Sequence, residues 1–373
     1  MNRFYLTVLG ILFLAVCNAK VINVQAVPGG IYYVSGDNRD LQIVVKGKGT
    51  ETRPFVIRPR SKDAIMRGNS FIKLDNQCAN IIIRDLTFED NVIQYKSSTS
   101  LIEIGRSKKS TVTNIRIENV EFRSRNGFKD RDKETQFHWI NIFGNNVVIN
   151  KCRFSGKRNR LPIIHVNSNF DNNVIRDNIF QDVPSRAAGA LEAIRVGLAD
   201  GDSDVRIVGN SFINYHGDSE TISIKANGAV LSDNTFINSR SGISIRYGNN
   251  CDIVNNTFSN TVTPIRIAGS NHRIVGNTFN KNKKDASITF MVGGKSYPNV
   301  ENIEISRNQF NLKNVTFNCI QFPNHHSFPS DIRLSQNYQN GIPLENKHTN
   351  IENNRIATKN KRSDNTVLYT YDF

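Results

Sequence analysis

Two tetrapeptides, 21 residues apart, carry the clearest chemistry in this 373-residue chain: Ile222-Ser223-Ile224-Lys225 and Ile243-Ser244-Ile245-Arg246. Alternation along an extended strand puts both Ile pairs on one side and Ser223, Lys225, Ser244 and Arg246 on the other. With the Ile side as core, Lys225 and Arg246 project outward. If the two strands are neighbours in a parallel sheet, about 4.8 Å apart, the two cations are forced together. Like charges that close disfavour the charged form, and Lys yields its proton far more readily than Arg. A neutral lysine is a general base. The same pair also reads as a solvated basic stripe that binds anions without chemistry, and the pair alone does not choose between these readings.

Asp218 and Glu220 lie just upstream. Their spacing suits one strand face, and hard cations such as calcium use such carboxylate oxygens. Strict alternation through to Ile222 would turn both acids inward, so a corner is expected near Thr221. The other use of these acids is to neutralise the basic stripe.

The elements that must position these residues are short, repeated strands. An eight-residue pattern recurs as IIIRDLTF, IRIENVEF, VVINKCRF, NVIRDNIF, VRIVGNSF, AVLSDNTF, CDIVNNTF, HRIVGNTF and IEISRNQF, ending at Phe88, Phe122, Phe154, Phe180, Phe212, Phe236, Phe258, Phe279 and Phe310. The intervals between these Phe residues fall to 21, 22 and 24, enough for three short strands and three corners. Such a repeat predicts an all-β chain wound as a single right-handed parallel β-helix of about 10–12 coils. Asn178, Asn210, Asn234, Asn256, Asn277 and Asn308 each stand two residues before a Phe. They are expected at sharp corners, in the left-handed conformation Asn tolerates, with stacked amides forming an internal ladder. Cys152 occupies the equivalent place in its coil. Longer intervals place insertions at corners, which in solenoids cluster on the binding face.

Bulk properties narrow the function classes. Arg3, the apolar run Phe4–Val16 and the small residue at Ala19 read as a signal peptide over 1–19, leaving a single repeat domain over 20–373. Within it, residues 20–47 are expected as an N-terminal cap and 357–373 as a polar tail outside the coils. A secreted, extracellular or periplasmic location follows; anchoring as a lipoprotein through Cys17 is the lesser alternative. The formal charge is +15, or +14 once the leader with its one charged residue, Arg3, is removed. That excess favours an anionic polysaccharide as partner; export argues against nucleic acid, and no membrane span is expected. A monomer is the default. Cys78, Cys152, Cys251 and Cys319 are far apart, with no CxxC pair, and are expected as free structural thiols.

At these residues the chain resembles polysaccharide lyase family 6, the β-helical alginate lyases and chondroitinase B-type enzymes. The likeness is strongest from His138 to Phe258. Asp218-x-Glu220-x4-Lys225 resembles the family's acid-x-acid-x4-Lys segment, and Arg246 follows at its spacing of 21. Ala193-Ile194-Arg195-Val196-Gly197 resembles its Ile-Arg-Ile-Gly strand, with Glu192 before it as in many alginate-cleaving members.

The resemblance implies β-elimination on a uronate-containing glycan, most of all alginate. Lys225 would abstract the C5 proton, and Arg246 would stabilise charge and assist departure of O4. A calcium ion held by Asp218 and Glu220 would bind the uronate carboxylate. Glu192, Arg195 and Tyr247 would contact substrate, Arg195 from the strand position of Lys225 one coil earlier. Arg266 falls one residue out of register and is expected to face elsewhere. Three positions depart from the family: Gly189 replaces its third calcium ligand, an Asn; Asp218 replaces a Glu; and Tyr247 replaces a His.

Three rivals remain open at this stage. A dermatan sulfate lyase of the same family is one, although Glu192 would repel a sulfated hexosamine. A glycan-binding β-helix that no longer cuts is another, favoured by Gly189 and Tyr247. A β-helical glycoside hydrolase needs two carboxylic acids flanking the bond, and Asp218 with Glu220 is the one close pair on the repeat face.

Overall fold

A computed structural model describes residues 20–93, 98–125, 136–185, 189–198, 201–281, 286–293, 297–323, 327–350, 356–361 and 367–372. Residues 1–19, expected as a leader, lie outside them, Cys17 included. The described residues form strands and corners with no helix, arranged as a right-handed parallel β-helix. Successive turns contribute one strand each to three sheets of 14, 13 and 13 strands. Residues 20–47, expected as a cap, supply the strands Lys20–Ala26, Ile31–Val34, Asp37–Arg39 and Leu41–Gly47, which start all three sheets. The described part of the tail forms Ile356–Lys361 and Val367–Asp372, an antiparallel pair that closes the first sheet.

The alternation read from sequence places the core. In the first sheet Ile43, Ile72, Ile102, Ile140, Ile164, Ile194, Ile222, Ile243, Ile265 and Ile288 stand in one column, each opposite the next. All are buried. Burying each such side chain contributes roughly 1.5–3 kcal/mol. The repeat phenylalanines form a second column with near-parallel rings, their centroids 5.1 Å apart at Phe88–Phe122 and 4.7 Å at Phe154–Phe180 and Phe212–Phe236.

The asparagine ladder runs through Asn178, Asn210, Asn234, Asn256, Asn277, Asn308 and Asn337. Each Nδ2 donates to the Oδ1 of the next asparagine at 2.9–3.0 Å. Cys152 begins it, its amide donating to Asn178 Oδ1. One expectation is corrected. The left-handed residue at each corner is not the ladder asparagine but the one before it: Asp177, Gly209, Asp233, Asn255, Gly276 and Arg307, with φ between 54° and 69°. The corner turns there, which leaves the following asparagine free to point inward.

The four cysteines of the described chain are buried and free. Burial pushes the Cys152, Cys251 and Cys319 thiols up to about 12, so little thiolate exists at neutral pH.

Removing one rung of the ladder tests its weight. In Asn256→Ala, the backbone N–H of Asn234 and one N–H of its side-chain amide both lose their acceptor. A buried unsatisfied donor costs about 1–3 kcal/mol, so the urea midpoint should fall clearly. A conservative core change such as Ile253→Val should cost about 0.5–1.5 kcal/mol.

Candidate active site

Stacking of the first sheet builds the site. Ile222, Ser223 and Ile224 lie opposite Ile243, Ser244 and Ile245. Just beyond, the Lys225 amide donates to the Val196 carbonyl (2.8 Å) and the Arg246 amide to the Ile224 carbonyl (2.9 Å). The two side chains therefore leave the outer face one rung apart. Ser223 and Ser244 share that face and are buried beneath the longer side chains.

The outer face holds more cations than this pair. Arg195 lies opposite Ser223, and Arg266 opposite Ser244. Arg195 is thus two residues away from the strand position of Lys225, not level with it. Arg266, which counting from Arg246 put out of register, is in register with Ser244 and belongs to the site. Its own strand, Ile265-Arg266-Ile267, has both isoleucines in the core. That local alternation was the signal that should have placed it.

Lys225 is half-buried, and its amine is held below the ordinary lysine range. Burial is the largest cause, then the charge of Arg195; Arg246 contributes less, while Glu192 and Glu220 pull the other way. The neutral lysine expected from Arg246 alone is therefore favoured mainly by desolvation.

The acids are tied down. Glu192 is 3% exposed, and its Oε1 accepts from Arg195 Nε (3.0 Å) and Nη2 (2.5 Å). Its other oxygen, Oε2, is buried with no hydrogen-bond partner among the described residues. Burial raises the Glu192 carboxyl above the usual range against the pull of Arg195. Glu220 Oε2 accepts from Ser223 Oγ (2.6 Å); its Oε1 accepts from Arg266 Nη2 (3.1 Å) and lies 3.6 Å from Arg246 Nη1. Asp218 Oδ2 accepts from the Leu191 amide (3.1 Å), and Oδ1 from the Ser219 amide and hydroxyl. A bend across Asp218–Thr221 turns the acids to the outer face before the strand begins at Ile222. Tyr215, fully buried, donates its hydroxyl to the Leu191 carbonyl (3.0 Å), so Leu191 is pinned on both sides of its residue. Tyr247 is half-buried beside Arg246 and within electrostatic reach of Tyr297.

Calcium takes six to eight oxygens. Gly189 has a φ of 64°, and a Cβ built on it would stand 3.3 Å from Asp218 Oδ2. A side chain there would aim at the acid pair, but glycine brings no oxygen. Asp218 and Glu220 already accept from N–H, O–H and guanidinium donors, and no cluster of three or more His, Cys, Asp or Glu is found among the described residues. The donor set does not fit a calcium ion. Arg266 and Arg246 stand at Glu220 instead.

The sequence profile of the Chondroitinase B family matches residues 18–372. A comparison with curated proteins gives no match. Among solved structures, the fold is similar to that of a mannuronic acid specific polysaccharide family 6 lyase from human gut microbiota. The TM-score is 0.74 at 20% identity, over 86% of this chain and 82% of that one. It is also similar to a PL6 family polysaccharide lyase from Pseudopedobacter saltans (TM-score 0.65, 22% identity, 79% and 76% covered). A PL6 alginate lyase solved with a trisaccharide gives 0.61 at 16% identity, over 86% and 79%. The fold and its cationic outer face define a β-helical polysaccharide lyase. This chain belongs to the Chondroitinase B family.

The electrostatics of Lys225 can be tested without turnover. Arg195→Gln removes the largest like charge acting on it and frees Glu192 to attract the ammonium. Both changes favour the protonated form, so the Lys225 midpoint should move up. Lysine-selective NMR titration of wild type and variant would show it; an unmoved or lower midpoint would refute the assignment.

Proposed function

We propose that the protein cleaves alginate, or a closely related polyuronate, by β-elimination on the outer face of the first sheet. The observation that carries this reading is one half-buried lysine, its amine held below the ordinary lysine range mainly by burial, among Arg195, Arg246 and Arg266. A lysine so placed takes a proton from carbon, while guanidinium groups hold the carboxylate that makes that proton acidic. The Lys225 amine abstracts the C5 proton, and charge builds on the adjoining carboxylate. The C4–O4 bond then breaks as a C4–C5 double bond forms. O4 departs with a proton taken from solvent. Arg246 steadies the charge, since a guanidinium in a protein is not a proton donor. The product carries an unsaturated, ultraviolet-absorbing uronate end.

Neutralisation of the substrate carboxylate falls in this reading to Arg246 and Arg266, without a calcium ion. Support comes from the glycine at 189 and the guanidinium groups at Glu220. Alginate is supported by the fold's likeness to a mannuronic acid specific lyase and to an alginate lyase holding a trisaccharide. Glu192 adds little, since its pairing with Arg195 mutes the repulsion it would exert on a sulfated sugar. Dermatan sulfate is therefore the main rival substrate. The leader over 1–19 supports action outside the cytoplasm.

One panel tests the reading: alginate, its mannuronate and guluronate blocks, and dermatan sulfate, followed by ultraviolet absorbance with calcium or chelator. Absorbance should rise on alginate and persist in chelator. Lys225→Leu should lose about 10²–10⁴-fold, the share of general base catalysis. Wild-type activity in that variant would remove Lys225 from the chemistry. Glycan binding with no product from the native protein would establish a binding module instead.

Gly189→Asn tests the ion separately. Asn accepts positive φ, and its amide oxygen would join Asp218 as a third ligand. Activity of this variant should become stimulated by calcium. Loss of wild-type activity on chelation would show that the native site does hold an ion.

A further inference from the structure

Arg246 is held in an unusual way for a half-buried guanidinium. Its Nε is buried and has no hydrogen-bond partner among the described residues. Its closest carboxylate oxygen, Glu220 Oε1, is 3.6 Å from Nη1, an ion pair but too long for a hydrogen bond. Hydrogen bonds therefore do not fix its plane. An aromatic ring does: the Arg246 Cζ lies over the face of Tyr297, 5.0 Å from the centroid. A cation over an aromatic face is attracted by the ring quadrupole, more strongly where water is excluded.

Tyr297 comes from outside the regular repeat. The interval from Phe279 to Phe310 is 31 residues, against 21 for the one before it. Most of the added chain lies in sequence between the strands Ala286–Val292 and Glu301–Ser306. The Gly293 amide donates to the Tyr297 carbonyl (2.9 Å), which ties Tyr297 to the end of Ala286–Val292. Phe322 arrives from the next coil, its amide bonded to the Val292 carbonyl (3.0 Å). The two rings stack at 4.4 Å with planes 9° apart. With Phe322 against it and Arg246 over it, Tyr297 has little open face to offer a sugar. Its phenol, raised by burial, stays protonated and adds no charge of its own.

We propose that Tyr297, backed by Phe322, is the positioning residue for Arg246, fixing the guanidinium plane so that its unshared N–H donors face the substrate. Its catalytic consequence rests on the lyase reading above; its structural content does not. Tyr297 touches no reacting atom. It acts by preventing Arg246 from swinging toward Glu220 or solvent, and so leaves the donors where charge develops.

Tyr297→Leu, Tyr297→Phe and Phe322→Leu test this, with kcat and KM on alginate, unfolding midpoints, and crystal structures of each protein. Loss of the ring should lower kcat by about 10–100-fold, the scale of an ångström-sized misplacement, with KM changed by less than about twofold. Phe at 297 should recover most of that loss, because the stack needs the ring and not the hydroxyl. Phe322→Leu should lose less, in the same direction. The Leu variant should show Arg246 spread over several conformers at an unchanged unfolding midpoint. If Arg246 keeps one position without the ring, or if kcat is unchanged in an active enzyme, the proposal fails. If native protein yields no unsaturated product, the lyase reading fails, and the crystal structures still decide the role of Tyr297. Should Tyr297→Leu not fold, Phe322→Leu decides on the same readouts.

Discussion

Each ladder asparagine binds in three directions at once. Asn210 Oδ1 accepts from both the backbone and the side-chain amide of Asn178, while its own Nδ2 reaches Asn234 Oδ1 and the Ile175 carbonyl. These groups are buried, so every bond lost is an unpaid desolvation. A slip of one residue in any coil would break the set on both sides and turn isoleucines outward as well. Register is thereby fixed from rung to rung. The outer face inherits it, and charges that would avoid each other in solution are stacked about 4.8 Å apart.

That enforced proximity has an electrostatic cost, which the neighbouring acids offset unevenly. Glu192 is committed to Arg195, and Glu220 is shared between Ser223, Arg266 and Arg246. Among the described residues, no carboxylate stands at hydrogen-bond distance from Lys225. It is also the group in the column whose proton is cheapest to remove. In the proposed reaction this makes the half-buried amine, rather than a guanidinium, the group suited to act as base. The large basic excess of the chain serves the same arrangement over longer range, drawing a polyanion to the face.

The sequence made the repeat plain because its marks are periodic. Phenylalanine spacing, alternating Ile and Val, and corner asparagines all recur, and each reports one physical requirement of a coil. Ser223, Lys225, Ser244 and Arg246 could be placed from that alone. Errors arose where position was counted between strands rather than within one. Coils of different length carry their insertions at corners, so a fixed offset from Arg246 missed Arg266, and Arg195 was set level with Lys225. Alternation inside Ile265-Arg266-Ile267 is immune to that error. Tyr297 was out of reach for a different reason: its corner segment has no period, and only the folded chain shows which groove residue it meets. The left-handed corner residues escaped because Asp, Asn, Gly and Arg all fill the position, so composition does not mark it.

Gly189 joins these threads. Its positive φ suits Gly or Asn, a Cβ there would stand in tight contact with Asp218 Oδ2, and glycine brings no side-chain oxygen. A bound divalent ion would bring two charges that come and go with the medium. Arg266 and Arg246 bring theirs on the backbone, delivered to Glu220 by the same register that holds the isoleucine column. A guanidinium offers paired N–H donors in a fixed plane, which suits a carboxylate, whereas an ion offers field strength with little direction. Charge supplied in this way is only as useful as its orientation. Arg266 gains that from hydrogen bonds to the Ser219 carbonyl and Glu220. Arg246 makes none among the described residues, and the ring of Tyr297 supplies the constraint without using its N–H donors.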